Sequence, residues 1–300
     1  MLPVLPVLPV KQGDEHEKIT GSVASNCVSA YKEMGLVLKL PAVRSLALIL
    51  LTCKAAMGVF DAVAPIELVE AGLPNEHLAL ISSALFPVSL LSQLWISATY
   101  FADKGGAGSG GEGTKALSLW IGCYPARLLL GGLGLIVVLI MPYYAGGPDG
   151  LPASMYFVMV VLSACGAVAN GAMFVAQMAF YNRVSDPAIG GTYMTMLNTI
   201  SNMGSAWPAT AALWVVGQTT VKSCKVRPDC KVSFFTSSAS TAPGSPQCGD
   251  CEDLVKEVNG FVVTVVISLV IGTLWYLRFR KRVIELQSLP ASAWLATAKP

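Results

Sequence analysis

Charge is scarce in this 300-residue chain: 13% of its residues are Asp, Glu, Lys or Arg, while 54% are hydrophobic. A soluble domain carries about 25% charged residues, so a water-covered globule of this size is excluded. Disorder over most of the chain is excluded by the same apolar content. The formal net charge is only +2, and no basic stripe interleaves with aromatics, which removes nucleic acid as a partner. Histidine is nearly absent, with His16 and His77 both outside the apolar runs. No HExxH, GxSxG or P-loop occurs, so neither an enzyme nor a resident metal or cofactor is expected. No Asn-x-Ser/Thr glycosylation site occurs either.

What the chain has is long apolar runs. A helix needs about 20 apolar residues to cross a hydrocarbon core ~30 Å thick. Six segments meet that length: Ser45–Val69, His77–Thr99, Arg127–Ala145, Pro152–Phe180, Gly191–Gly217 and Phe261–Phe279. They show none of the ten-residue alternation of a membrane β-barrel. The expectation is an all-α membrane protein with six transmembrane helices. Residues 1–38, opening with the Pro-rich repeat MLPVLPVLPV, read as a poorly ordered tail. Residues 39–282 read as the helical domain, with a long Cys-bearing loop over 218–260, and 283–300 as a second tail.

Lys and Arg gather on the cytoplasmic side of membrane proteins. With the N-terminus placed in the cytoplasm, fourteen of them fall inside and five outside, all five in the 218–260 loop. Both termini are therefore expected to be cytoplasmic. Cys224, Cys230, Cys248 and Cys251 share the outside loop. The oxidising side of a membrane favours two disulfides among them, with three pairings open. Cys248-Gly-Asp-Cys251 also has zinc-ligand spacing, but Cys224 and Cys230 stand too far apart for the usual second pair.

Charges within a span cost roughly 2.5–3.5 kcal/mol each and mark functional positions. Lys54 and Asp61 lie in the first span, seven residues and two turns apart on one face. They are too far apart to pair with each other, so each needs a partner elsewhere or a wet cavity. Lys54 is the better candidate for an anionic ligand. In the fifth span Thr195, Asn198, Asn202 and Ser205 form a polar stripe, read as the wall of a cavity. Asn170 and Gln177 in the fourth span have spacing to face the same cavity. Ser163, Ala167 and Gly171 form a small-residue row suited to close packing, and Pro87 allows a bend in the second span. Arg127 and Arg183 are expected at cytoplasmic helix ends, as topology anchors or as guanidinium forks for phosphate oxygens.

Several stretches resemble the acetyl-coenzyme A transporter family of the endoplasmic reticulum membrane: KLPAV (39–43), LTCKAAMGVFDAV (51–63), LVEAGLPNEHLAL (68–80), YPARLLLG (124–131) and MAFYNRVSDPAIGGTYMTMLNTISNMGSAWPATAALW (178–214). That family is part of the major facilitator superfamily, whose members have about twelve helices in two halves with the cargo between them. The resemblance implies the C-terminal half of such a fold. It also implies acetyl-coenzyme A moving from cytosol to lumen, and a cavity completed by the other half or a second copy. Lys54, Arg127 and Arg183 would then be the cations that meet the anionic cargo, Asn198 and Asn202 neutral donors, and Asp61 a charge on the same route. A carrier of another anionic metabolite, and a non-transporting six-helix scaffold, remain as alternatives.

Overall fold

The computed structural model describes residues 31–32, 34–101, 116–145, 151–186, 189–224, 231–233 and 254–295. Helix α1, Pro41–Cys53, begins on a proline at its first position, where a missing N–H costs nothing. Its buried residues Val43, Leu46, Ile49, Leu50 and Cys53 fall on one stripe. The chain stops being α-helical at Lys54 and resumes as two short helices, α2 (Gly58–Ala62) and α3 (Ala64–Glu70). Gly72, at φ 109°, turns the chain out of α3. The Leu73 amide bonds back to the Leu68 carbonyl and the Gly72 amide to Val69, a Schellman ending.

Five long helices follow. They are α4 (Asn75–Ile96, continued by a π-helical turn Ser97–Phe101), α5 (Ala116–Ala145), α6 (Ala153–Val184), α7 (Gly190–Thr219) and α8 (Gly260–Ser288). At 1.5 Å per residue, thirty residues make a rod of ~45 Å, longer than the hydrocarbon core alone. Helix α5 packs between α6 and α8, α6 carries α4 on its other side, and α7 lies against α1, α2 and α8. Large apolar side chains such as Leu129, Leu133, Phe157, Val270 and Leu274 face outward. That surface suits lipid and not water.

Among the described residues, four helices are both long and apolar enough to cross a membrane: α4 with its π turn, α5, α6 and α8. The six continuous spans expected from the sequence are therefore not all present in that form. The first is broken into α1, α2 and α3. The fifth, α7, has the length, but its polar stripe lowers its apolar character. The third begins earlier than expected, at Ala116 and not at Arg127.

A short sheet stands between α7 and α8 in this otherwise helical chain. Strands β1 (Val221–Cys224), β2 (Lys231–Ser233) and β3 (Leu254–Val258) form an antiparallel sheet in the order β2-β1-β3. Val221 pairs with Ser233 on one side and Val258 on the other. The pairing satisfies backbone groups that an open loop would leave to water. Of the four cysteines expected to bridge, Cys230, Cys248 and Cys251 lie outside the described residues, and only the backbone of Cys224 is placed.

Both expected tails enter the fold where they meet it. Residues 34–38 are helical and Val37 is buried. At the other end α8 runs to Ser288, and a short 3-10 turn (Ala291–Ala293) delivers Trp294 into the core. Trp294 meets Phe180 edge-on at 5.4 Å, and its carbonyl accepts a hydrogen bond from the Tyr193 hydroxyl at 3.2 Å. An aromatic stack ties α5 to α8: Tyr124 lies 4.9 Å from Trp275, which in turn lies 5.2 Å from Phe279.

Candidate functional site

The break after α1 is imposed by its neighbour α7. Gly204 on α7 presses against the Leu50 carbonyl so closely that a Cβ there would sit 2.2 Å from that oxygen. Gly58 meets the Pro208 backbone in the same way, with a Cβ at 2.6 Å. Between these two crossing points lies Lys54. The break strands carbonyls, since the Ala55 amide bonds to Thr52 and the Met57 amide to Lys54. Two side chains take up the carbonyls left over. Trp207 Nε1 donates to Leu51 O at 2.8 Å, and the Tyr124 hydroxyl to Cys53 O at 3.0 Å. Non-helical backbone at membrane depth is tolerated on those terms, with its polar groups held by protein.

Beside the break opens a cavity of about 480 Å³, walled by the Lys54–Asp61 segment and by α4, α5, α6 and α7. Lys54, Asp61, Arg127, Asn198 and Asn202 all line it. The Lys54 ammonium donates to Ser205 Oγ at 2.6 Å. Among the described residues, no carboxylate lies within ion-pair distance of it.

Asp61, which the spacing left without an intrahelical partner, is held by Arg127. Arg127 Nη2 stands 2.8 and 2.9 Å from the two carboxylate oxygens. Its Nη1 donates to Asn170 Oδ1 at 2.5 Å. The Arg127 side chain is 11% exposed and that of Asp61 60%. Charged groups in the wall thus leave one net positive charge.

The expected place of Arg127 at a helix end is overturned. It lies eleven residues into α5, about 16 Å along the rod. The preceding turn packs Trp120, Ile121 and Tyr124 into the core, which extends the helix, and Asp61 offsets the cost of the buried guanidinium. Arg183 does stand in the last turn of its helix, but outside the cavity wall.

The α7 stripe reaches the cavity through Asn198, Ser201, Asn202 and Ser205. Thr195 is not in the wall, and its hydroxyl turns back to the Gly191 carbonyl at 2.8 Å. Asn170 and Gln177 face the cavity as their spacing suggested. Gln177 is buried and donates to Ser201 Oγ at 2.5 Å and to the Tyr181 hydroxyl. Sequence reasoning missed Gln93, Trp120 and Phe174, which also line the cavity. Among the described residues, no group of His, Cys, Asp and Glu could hold a metal.

A family model described as acetyl-coenzyme A transporter 1 matches residues 7–106 and 111–296. The chain belongs to this family. It is a family of transporters and not of enzymes, and the apolar helices make this member a multi-pass membrane protein. An uncharacterized membrane protein of Saccharomyces cerevisiae is 30% identical over 315 aligned positions, covering 95% of this chain and 52% of the relative. An uncharacterized protein of Schizosaccharomyces pombe is 26% identical over 273 positions, covering 90% of this chain and 48% of the relative. The chain thus spans about half the length of these curated relatives. A further uncharacterized protein of S. cerevisiae is 34% identical over 107 positions, 34% of this chain and 78% of that protein. No solved structure matches the chain.

Proposed function

We propose that this chain forms one lobe of a carrier that moves acetyl-coenzyme A across the endoplasmic reticulum membrane into the lumen. The observation that carries this reading is the Lys54 ammonium, set in a large polar cavity with no carboxylate partner among the described residues, on a chain of this family. A multiply anionic cargo needs cations, and the wall supplies Lys54 and, through exchange of Asp61, Arg127. Asn198 and Asn202 supply neutral hydrogen bonds. Arg183, at a helix end, is assigned to first capture of phosphate outside the cavity.

The lobe crosses six times, with the α1–α3 segment and α7 as the two passes added to α4, α5, α6 and α8. A helix broken at the site is how many carriers bring backbone and charge to mid-membrane. The half-length match to the relatives supports a second lobe, from a longer polypeptide or a second copy, closing the cavity as in the major facilitator fold. The Lys/Arg distribution supports cytosolic termini and a lumenal sheet-bearing segment, in which Cys224, Cys230, Cys248 and Cys251 would form two disulfides.

Uptake of labelled acetyl-coenzyme A into vesicles carrying the protein tests the reading. Saturable uptake, inhibited by unlabelled acetyl-coenzyme A, supports it. Uptake inhibited only by unrelated organic anions points to another cargo. No uptake of any anion points to a non-transporting scaffold.

A further inference from the structure

A large apolar side chain stands exposed in the polar wall of the cavity. Six residues of α6 line that cavity: Asn170, Gly171, Met173, Phe174, Gln177 and Met178. At ~100° per residue they cover an arc of about 160° on the helix, and Asn170 and Phe174 stand at its middle. Phe174 therefore faces the cavity and not the lipid. Its surroundings agree. From Gly171 to Tyr181 every other residue is buried or half-buried, while Phe174 is 50% exposed. The other large apolar residues of the wall are covered: Trp120, Met57 and Met173 are buried, and Met178 is half-buried.

The ring is set among polar groups. Asn170, one turn before it, accepts from Arg127 Nη1 at 2.5 Å, and Arg127 also holds Asp61. The cavity volume, about 480 Å³, lies in the range of small-molecule sites. An exposed ring in a wet polar cavity is unfavourable, and a ligand that covers its face recovers that cost. The parts of acetyl-coenzyme A differ in what they can offer such a ring. The phosphates need cations. The pantetheine arm is a flexible chain of amides that needs hydrogen bonds. The acetyl methyl is too small to cover a phenyl face. The adenine base is flat, has a π face of matching size and stacks on aromatic side chains.

We propose that Phe174 is a cargo-binding residue on which the adenine ring of acetyl-coenzyme A stacks. The inference rests on acetyl-coenzyme A as cargo and adds its orientation. The base lies on α6 at Phe174, one turn from the contact of Asn170 with Arg127, and the phosphates reach Arg127 and Lys54. The site thereby selects a nucleotide over an organic anion of equal charge that lacks a base.

Equilibrium binding to the full chain in lipid nanodiscs tests it with two ligands. One is acetyl-coenzyme A. The other is its abasic analogue, which keeps the ribose, the phosphates and the acetyl arm and has hydrogen in place of adenine. The wild-type protein is expected to bind acetyl-coenzyme A roughly tenfold tighter than the analogue, the scale of one base–aromatic stack. Phe174→Leu, apolar but without a ring, should lose that preference and bind the analogue as the wild type does. Phe174→Tyr, which keeps the ring, should retain the preference. A preference that persists in Phe174→Leu overturns the stacking role. So does an equal weakening of both ligands in that variant, which assigns the ring to another part of the cargo. Equal binding of the two ligands by the wild type overturns the inference and leaves the cargo reading standing. Failure of the wild type to bind either ligand overturns both. Phe174→Met, also without a ring, takes the place of Phe174→Leu should that variant fail to fold.

Discussion

Replacing Gly204 by Ala tests how the site is built. The added Cβ would stand 2.2 Å from the Leu50 carbonyl oxygen and 3.0 Å from Leu51 Cα, both backbone atoms. Ordinary van der Waals contact begins near 3.4 Å, so α1 and α7 must separate by roughly 1 Å, well up the repulsive wall. Overpacking of this kind costs about 1–3 kcal/mol, more than the ~0.5–1 kcal/mol that a helical Gly→Ala change returns. Lys54 follows Leu50 by one turn, so the separation also draws its ammonium from Ser205, now 2.6 Å away. A Cβ added to Gly166 on α6 would meet nothing within 4 Å, so that position serves as the control. In nanodiscs, Gly204→Ala, at a net loss of about 1 kcal/mol, should lower the thermal midpoint by about 2–4 °C and weaken cargo binding. Gly166→Ala should do neither. Equal midpoints and equal binding in the two variants would refute the close crossing as the device that breaks α1 and sets Lys54.

Other expectations follow from the same contacts. Trp207→Phe leaves the Leu51 carbonyl without its donor and should destabilise the protein by about 0.5–1.5 kcal/mol. Chemical unfolding in detergent measures this, with no change expected from Trp214→Phe on the outward face of the same helix. Asp61→Asn removes the counter-charge of a mostly buried guanidinium. A loss of about 1–3 kcal/mol is expected, below the full cost of breaking a buried pair because the carboxylate itself is well exposed. An anionic cargo should restore the thermal midpoint of that variant more than that of the wild type. An Asn-x-Ser site engineered within residues 234–250 should be glycosylated in cells if that segment is lumenal, and a mobility shift on gels reads it.

The parts of the site legible in the sequence are those where a side chain contradicts its surroundings. Lys54 and Asp61 stand out in an apolar run, and Asn198 and Asn202 recur at helical spacing, so a polar cavity is readable from the residues alone. Arg127 is readable as a cation but not as a wall residue, because its arginine looks like a helix boundary while Trp120–Tyr124 before it are core. The break at Lys54 carries no local signal. Neither Pro nor Gly occurs over Lys54–Met57, and the cause lies about 150 residues on, at Gly204 and Pro208. Trp120 is hidden because an indole counts as apolar in any pattern, and only the fold sets it in the cavity wall. The sheet between α7 and α8 is hidden because strands of three to five residues in a Ser- and Pro-rich segment are set by pairing rather than by local propensity.

The most direct test of the cavity as the cargo site is equilibrium binding of acetyl-coenzyme A to wild-type, Lys54→Ala, Arg127→Ala and Arg282→Ala proteins in nanodiscs. Arg282 lies outside the cavity and bonds Ser45 and Glu285, so its variant should bind as the wild type does. Loss of one charged contact should weaken binding by roughly 10- to 100-fold in each of the other two. Unchanged affinity in folded Lys54→Ala and Arg127→Ala proteins would contradict the account.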